Sequence, residues 1–211
     1  MAFKIKDKTF AVLWSGGLDS TYLIQYLLDS GASKVSAYSI KIENNKEQAK
    51  AEEKSINKLK DIFREKYPLK FYYERILTMY SEIHGIIYLP QSPLFILAAH
   101  LIPNHDYTAI GYVMNDDAIS FIPEIKRAYY GYKGLRDGTP KLVFPLVHYN
   151  KKVILERIDP LYLKHISYCE IPVLGKACQE CPSCKRHSDA LGIKIVSKVE
   201  EGVGRMVRPR K

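Results

Sequence analysis

The chain has 211 residues, 46% of them hydrophobic and 26% charged, which is enough apolar material for one sizeable core. No apolar run approaches the roughly 20 residues of a membrane-spanning helix, and Met1 to Lys8 lacks the zones of a signal peptide, so we expect a cytoplasmic protein without a membrane partner. The net charge of +9 favours an anionic partner such as a nucleotide or a nucleic acid, although a basic surface without such a partner is an equal alternative.

Short apolar strands alternate with helices along most of the chain. A buried strand at residues 9–14 precedes a loop rich in serine and glycine, and a helix with apolar residues at helical spacing follows and ends at Gly31. Further along, the pattern predicts strands at 34–40, 70–74, 107–111 and 141–144, and helices at 46–66, 94–102, 151–158 and 160–165. Residues 118–130 are expected to be helical only in part, because Pro123 interrupts them.

This alternation predicts an α/β fold with a Rossmann-like parallel five-stranded sheet and helices on both faces. We expect residues 1–165 to form that domain and residues 166–195, which contain all the cysteines, to pack onto it. Residues 196–211 form a basic tail, a kind of segment that is often solvated.

The segment Ser15-Gly16-Gly17-Leu18-Asp19-Ser20 joins the first strand to the first helix. Its glycines let the backbone N–H groups approach phosphate, and the helix N-terminus adds more N–H groups. Hydroxyls of Ser15, Ser20 and Thr21 can donate further hydrogen bonds, whereas Asp19 is expected to hold a Mg²⁺ ion that bridges phosphate oxygens. The alternative is a plain turn in which Asp19 or Ser20 caps the helix. Neither the Walker A ending nor the dinucleotide fingerprint is present.

The same segment is similar to the pyrophosphate loop (PP-loop) of the N-type ATP pyrophosphatases. That group includes GMP synthetase, NAD synthetase, tRNA thiolation enzymes and 7-cyano-7-deazaguanine synthase, and its members adenylate a substrate oxygen and release pyrophosphate. The resemblance implies an adenine nucleotide alpha hydrolase-like fold with ATP and Mg²⁺ as cofactors. It assigns the phosphates to Ser15, Gly16, Gly17, Leu18, Asp19, Ser20 and Thr21. Backbone groups of Tyr38, Ser39 and Ile40, at the carboxyl end of the second strand, are placed to recognise adenine.

All four cysteines, Cys169, Cys178, Cys181 and Cys184, lie within one short stretch. Clustered thiols in a cytoplasmic protein favour a metal over disulfides, and this spacing suits a closed tetrahedral Zn²⁺ site of structural type. An iron–sulfur cluster, the replacement of one thiolate by His187, and free reduced cysteines are the alternatives.

A PP-loop followed by this cysteine spacing near residue 180 resembles the 7-cyano-7-deazaguanine synthase family. Pro145-Leu146 with Lys151 downstream is similar to the family's Pro-Leu segment and its lysine. The segment Tyr38 to Ile42 departs from the family's Tyr-Gly-Gln, and Pro90-Gln91-Ser92-Pro93 from its Pro-Gly-Arg-Asn. The substrate segment around Ile122 to Arg127 is also altered, which keeps a diverged paralogue open.

The resemblance implies a ligase that adenylates 7-carboxy-7-deazaguanine and converts it with ammonia to the nitrile, a precursor in queuosine biosynthesis. It gives catalytic roles to Asp19 and Lys151 and substrate contacts to Tyr112, Asp117 and Glu124. For Lys151, an exposed lysine at a helix start is the more conservative reading, and Asp117 and Glu124 could be ordinary loop carboxylates. Dimers are common in the family, so the resemblance allows a homodimer, which no residue pattern of the chain decides.

Three alternatives stay open. A paralogue would join a deazaguanine acyl group to an amine of a protein or a nucleic acid. A tRNA-thiolating enzyme is disfavoured because no cysteine lies outside the cluster to carry sulfur. A basic zinc-containing nucleic-acid-binding protein is the reading that needs no ATP chemistry.

Overall fold

The computed structural model describes residues 3–42, 46–79, 96, 102, 105–114, 116–131, 139–173 and 176–192. The strands are β1 (Thr9–Leu13), β2 (Lys34–Ile42), β3 (Phe71–Met79), β4 (Tyr107–Ala109) and β5 (Lys141–Val143). The α-helices are α1 (Leu18–Asp29), α2 (Lys46–Lys66), α3 (Ile122–Gly131), α4 (Lys151–Arg157), α5 (Pro160–Leu163) and α6 (Pro182–Leu191).

The five strands form one parallel sheet in the order β3-β2-β1-β4-β5. The chain proceeds outward from β1 to β3 and then returns to place β4 on the other side of β1. The point at which the strand order reverses is therefore between β1 and β4, and ligands of open parallel sheets bind at the carboxyl ends of the strands at such a point. The predicted fold class is confirmed.

Helices cover both faces of the sheet, so the inner strands are apolar on both sides. Phe10 and Val12 of β1 point into one buried cluster with residues of α1, α2, α4 and α5. Ala11 and Leu13 point into a second cluster with Ile125 of α3 and other residues. Burying each large side chain contributes roughly 1.5–3 kcal/mol, which fixes β1 in the middle of the sheet and with it the loop that follows.

The expectation for residues 118–130 is wrong. Asp117–Phe121 form a 3₁₀ turn, and α3 then runs without a break from Ile122 to Gly131. Pro123 lies in the first turn of α3, where the missing proline N–H removes no intrahelical hydrogen bond. The proline therefore starts this helix and does not interrupt it.

The other boundaries differ by a few residues at most, except that β3 extends five residues past its predicted end at residue 74. The predicted helix at 94–102, the segment Pro90 to Pro93 and the basic tail lie outside the described residues, apart from Ile96 and Ile102. Among the described helices, none combines the length and apolar character needed to cross a bilayer.

Candidate active site and metal centre

Two glycines and a hydrogen bond from α2 determine the backbone conformation of the loop between β1 and α1. Gly16 has φ +76°, a left-handed conformation that side chains rarely adopt, and a Cβ there would lie 2.9 Å from Ser55 Oγ. Ser55 Oγ instead donates a hydrogen bond of 2.8 Å to the carbonyl oxygen of Gly16. Gly17 is the N-cap of α1 and has no side chain to satisfy the first N–H groups of the helix, so those groups are free to bind an anion.

Two of the three predicted hydroxyls lie at this loop. Ser15 Oγ and Ser20 Oγ are 3.2 Å apart, and Ser15 is exposed at the mouth of the site. Thr21 lies elsewhere, because it is fully buried and its hydroxyl accepts the indole N–H of Trp14 at 3.0 Å. The structure therefore separates the Thr21 side chain from the two serine hydroxyls.

Asp19 and Lys151 form an ion pair beside the loop, with 3.0 Å between Asp19 Oδ2 and Lys151 Nζ. Burial raises the pKa of Asp19, and the Lys151 ammonium opposes that shift. The second oxygen, Asp19 Oδ1, is buried and has no hydrogen-bond partner in the described part of the chain. A buried carboxylate oxygen without a partner is costly, and it fits the predicted Mg²⁺ because hard divalent cations prefer such oxygens.

A cavity of about 250 Å³ opens in front of this ion pair. Side chains from α2, from the segment after α5 and from α6 line it together with the loop. Sequence reasoning assigned no role in the ATP site to these residues, which are Gln48, Glu52, Ser167, Tyr168, Glu170, Ser183, Arg186 and His187. They follow the loop at positions 48 to 187 of the chain, so no local pattern could have placed them there.

Glu52 brings an unusual carboxyl group into this cavity. Burial raises its pKa from the ordinary 4.5 to about 7, although the amide of Gln48 donates a hydrogen bond of 3.0 Å to Oε1. No cation pairs with Glu52 among the described residues. A carboxyl group that titrates near neutral pH can exchange protons during a reaction.

A second crevice, of about 150 Å³, lies at the point where the strand order reverses. Gly111, after β4, approaches α1 so closely that a Cβ on it would lie 3.2 Å from backbone atoms of Asp19 and Ser20. Tyr112 lines this crevice and stacks on Phe144, with 5.8 Å between ring centroids. Tyr112 therefore lies beside the loop between β1 and α1, and its contact with a substrate stays a prediction.

The residues predicted to bind adenine lie on the neighbouring strand. Tyr38 and Ser39 are buried, and Ser39 Oγ lies 2.8 Å from the Tyr73 hydroxyl. They line neither the 250 Å³ cavity nor the crevice, and the carbonyl oxygen of Tyr38 accepts the N–H of Trp14 at 2.8 Å. The adenine contact of these residues therefore stays a prediction.

Asp117 and Glu124 are exposed, and neither lines the cavity or the crevice. Their neighbour Asp116 is closer to the chemistry, because its charge contributes to raising the pKa of Asp19. Asp116 Oδ2 also accepts the N–H of Val113 at 2.9 Å, which orients it after β4. The double aspartate after a predicted strand was the signal that could have found it.

The four cysteines converge as predicted. Their Sγ atoms all lie within 4.8 Å of one another, and those of Cys178 and Cys184 are 3.9 Å apart. Backbone N–H groups donate to the sulfurs: Cys178 N to Cys169 Sγ at 3.2 Å and Cys184 N to Cys181 Sγ at 3.4 Å. Cys181 is the N-cap of α6, so the cluster anchors that helix.

The thiols fit a metal ion on chemical grounds. Burial raises the pKa of Cys184 and Cys169. For Cys178, burial also raises the pKa, but N–H groups of Glu180 and Cys181 outweigh it and bring the value to about 7. Four crowded sulfur atoms are stabilised together by a cation that binds all of them. His187 is not part of this group and stacks on Tyr168 at 4.0 Å.

Helix α6 connects the cysteine cluster to the cavity. Arg186 donates a hydrogen bond of 3.2 Å to Ser183 Oγ and lies 3.7 Å from Glu170 Oε1, while its buried Nε has no partner within the described residues. The N–H of Ser167 donates to the Gly16 carbonyl at 3.1 Å, so the segment before the cluster is also tied to the loop. The metal centre and the candidate active site therefore share walls.

Fold and site together define a parallel α/β protein of the Rossmann-like type. It has a glycine loop at the point where the strand order reverses, and a cluster of four cysteines. Among solved structures, the chain is similar to the U34-tRNA thiolase NcsA from Methanococcus maripaludis with its [4Fe-4S] cluster. The sequences are 18% identical, the TM-score is 0.50, and the match covers 87% of this chain and 65% of that protein. The likeness shows a shared fold. No protein-family model and no curated protein sequence matches the chain.

Proposed function

We propose that this protein is an ATP-dependent adenylating enzyme that activates a carboxylate for attack by an amine. The observation that carries the proposal is the Asp19–Lys151 pair at a glycine loop without a side-chain cap, in which Asp19 Oδ1 has no partner among the described residues. A loop with free N–H groups binds phosphate, and the spare carboxylate oxygen suits the cation that accompanies ATP. The chain shares its fold with the U34-tRNA thiolase NcsA, and tRNA thiolation enzymes belong to the group whose loop the segment Ser15 to Ser20 resembles.

In the proposed reaction, a substrate carboxylate oxygen attacks the α-phosphorus of ATP, and the bond to the β-phosphate oxygen breaks to release pyrophosphate. Free N–H groups of α1 and the Ser15 and Ser20 hydroxyls bind the phosphates. Lys151 and Arg186 are the cations that face the cavity and neutralise charge on the leaving group. Mg²⁺ bound at Asp19 would supply further charge neutralisation and orient the phosphates.

The acyl-adenylate is then attacked by ammonia, AMP leaves, and an amide forms. We propose 7-carboxy-7-deazaguanine as the substrate, with a second ATP that activates the amide oxygen so that its loss gives the nitrile. Support comes from the PP-loop, from Pro145-Leu146 and Lys151, and from the cysteine spacing. Tyr112, beside the loop, is placed to contact a flat ring, and Asp117 and Glu124 would need to move toward the crevice to contact the guanine-like edge.

For the cysteine centre we propose Zn²⁺ in a structural role. Four thiolates around one ion with bonds of 2.3 Å lie about 3.8 Å apart, which agrees with the 3.9 Å between Cys178 and Cys184. A four-iron cluster holds its thiolates farther apart because several metal atoms lie between them. The spacing thus favours one ion, even though the similar structure carries a [4Fe-4S] cluster.

The test is to incubate the full chain with ATP, Mg²⁺, ammonium and 7-carboxy-7-deazaguanine, and to measure AMP and pyrophosphate and the product mass. We expect both products together with the nitrile. If AMP and pyrophosphate form without amide or nitrile, adenylation stands and the acceptor is wrong. If no pyrophosphate forms with any carboxylate offered, adenylation itself fails.

A second candidate keeps the adenylation and changes the acceptor to a macromolecule, either a protein or nucleic-acid amine or a tRNA base. The similarity to a structure of a tRNA thiolase favours it, and the altered segment at Tyr38 to Ile42 allows it. Sulfur transfer is less favoured, because all four cysteines belong to the cluster. Pyrophosphate release that depends on added tRNA and not on the deazaguanine would decide for this candidate.

A further inference from the structure

A groove of about 390 Å³ lies beside the candidate active site, between α2 and the segment that connects α5 to the cysteines. Lys54 and Lys58 of α2 line one side, Lys164 and Lys176 line the other, and all four are exposed. No aspartate or glutamate is among the described residues that line it. We refer to it as the lysine groove.

The four lysines of the groove lie close together and have no acidic partner among the described residues. Lys8, Lys50, Lys66 and Lys151 each form an ion pair with a nearby carboxylate. Lys54, Lys58, Lys164 and Lys176 form none with any residue in the described ranges. Their positive charges therefore lie together on one concave surface and are not neutralised by nearby described carboxylates. Such an arrangement attracts anions.

His165, inside the groove, reports this positive field. Burial lowers its pKa, and the charges of Lys164 and Lys58 lower it further. Two ammonium groups from opposite walls thus act on one side chain in the groove. Lys176 is held on the same surface by a two-bond bridge with Val173, in the loop that leads to Cys178.

The lysine groove and the 250 Å³ cavity share the wall formed by Ser167, Tyr168 and Cys169. Ser55, on the floor of the groove, and Ser167, in the shared wall, both donate hydrogen bonds to the Gly16 carbonyl of the phosphate loop. A chain that lies in the groove is therefore separated from the adenylation site by one layer of residues. At that layer the exposed ring of Tyr168 stacks on His187.

We propose that the lysine groove binds the phosphodiester backbone of a single-stranded nucleic acid and brings an acceptor on that strand to the adenylation cavity. Several cations along a groove together with an exposed aromatic ring such as that of Tyr168 are the combination that binds single strands, through phosphates and base stacking. An acidic peptide has no flat ring at each position to use the Tyr168–His187 pair. Binding does not depend on the proposed function; the delivery of an acceptor does.

The test measures binding of fluorescein-labelled single strands, RNA and DNA of the same mixed sequence and about 20 nucleotides long. The full chain is used with Mg²⁺ and a saturating non-hydrolysable ATP analogue, so that the phosphate loop is occupied. Contacts to about four phosphates give a slope of about −2.8 for log affinity against log salt. Whichever of the two strands binds more tightly shows whether the natural ligand is RNA or DNA.

The double variant K54A/K58A is expected to bind about tenfold more weakly and to reduce the slope by about 1.4. Its matched control is K4A/K6A, which removes the same charge from two exposed lysines that do not line the groove. The control should keep the affinity and the slope of the unchanged protein. Basic residues outside the described ranges are the same in both variants, so their contribution cancels.

Three results would overturn the proposal. They are equal loss of binding in both double variants, no binding of either strand at about 50 mM salt, and displacement of the strand by polyglutamate of the same total charge. Pyrophosphate release from ATP is measured on the same preparations. Strand binding without pyrophosphate release would support the groove as a binding site and contradict the proposed function. Pyrophosphate release without strand binding would support the proposed function and contradict the groove assignment.

Discussion

At the scale of single residues, the Asp19–Lys151 pair carries most of the proposed chemistry. Its two side chains are 132 positions apart and meet at 3.0 Å with one carboxylate oxygen left over. The spare oxygen has no structural partner to explain it within the described residues, whereas a cation bound with ATP would satisfy it. The pair is thus an arrangement suited to a ligand and not to stability alone.

Replacing Asp19 by asparagine tests this role. Asp19→Asn keeps the size and removes the charge, and we expect pyrophosphate release to fall by about 100-fold or more with little change in melting temperature. The measurement is ATP–pyrophosphate exchange at saturating Mg²⁺. Asp61→Asn, an exposed change on α2, is the matched control and should be neutral. Full exchange activity in the Asp19 variant would exclude it from the site.

Glu52 predicts how stability depends on pH. Its pKa is about 7 in the folded protein and near 4.5 when unfolded, so the folded state binds the proton more tightly. That contribution to stability is fully present below about pH 4.5 and is lost as the pH rises through 7. Between pH 5 and pH 8 the unfolding free energy of the unchanged protein should fall by roughly 1–3 kcal/mol because of Glu52. We expect the Glu52→Gln variant to lack this fall.

The measurement for Glu52 is urea unfolding at pH 5 and at pH 8, without nucleotide. Glu65→Gln, which changes an exposed glutamate of the same helix, is the control and should keep the pH dependence of the unchanged protein. A Glu52→Gln protein that loses stability with pH as steeply as the unchanged one would show that another group is responsible.

At the scale of elements, the close approach of the β4 loop to the start of α1 shapes the crevice. A Cβ at Gly111 would lie 3.2 Å from the backbone of Asp19 and Ser20, so those atoms would have to shift by a few tenths of an ångström. Gly131, at the end of α3, has no atom within 4 Å of the same added Cβ. The two glycines therefore form a natural pair of test sites.

We expect Gly111→Ala to lower ATP turnover about tenfold, because the phosphate-binding end of α1 moves, with a loss of roughly 1 kcal/mol in stability. Gly131→Ala should leave turnover unchanged and stability equal or slightly higher. Steady-state kinetics and thermal melting of the two variants check this. Equal turnover in both proteins would mean that the crevice tolerates the displacement.

At the scale of the whole molecule, the cysteine cluster and the candidate active site are mechanically connected. Cys181 caps α6, α6 carries Arg186 and His187 into the cavity, and Ser167 is bonded to the loop at Gly16. Metal binding at the cysteines stabilises the folded arrangement of this segment. The metal is therefore expected to influence ATP binding without contacting ATP.

Removal of the metal tests the connection. A chelator, or Cys178→Ser, should lower the melting temperature by several degrees, expose residues 166–192 to protease and weaken ATP binding about tenfold. Elemental analysis should give zinc, and the protein should be colourless above about 400 nm. A brown protein would replace zinc by an iron–sulfur cluster, and unchanged ATP affinity after metal loss would show that the two sites are independent.

The sequence by itself determined the parallel α/β fold, the glycine loop and the cysteine cluster, because each depends on local patterns: short apolar runs that alternate with helical spacing, adjacent glycines, and thiols separated by two residues. Pro123 was misjudged because a proline ends a helix in its middle but is accepted in its first turn. Only the tertiary structure decided what faces the loop. Glu52, Arg186 and the lysines of the groove come from α2, α6 and the segment between them. Their convergence depends on how helices pack over the sheet, which no local pattern in the chain encodes.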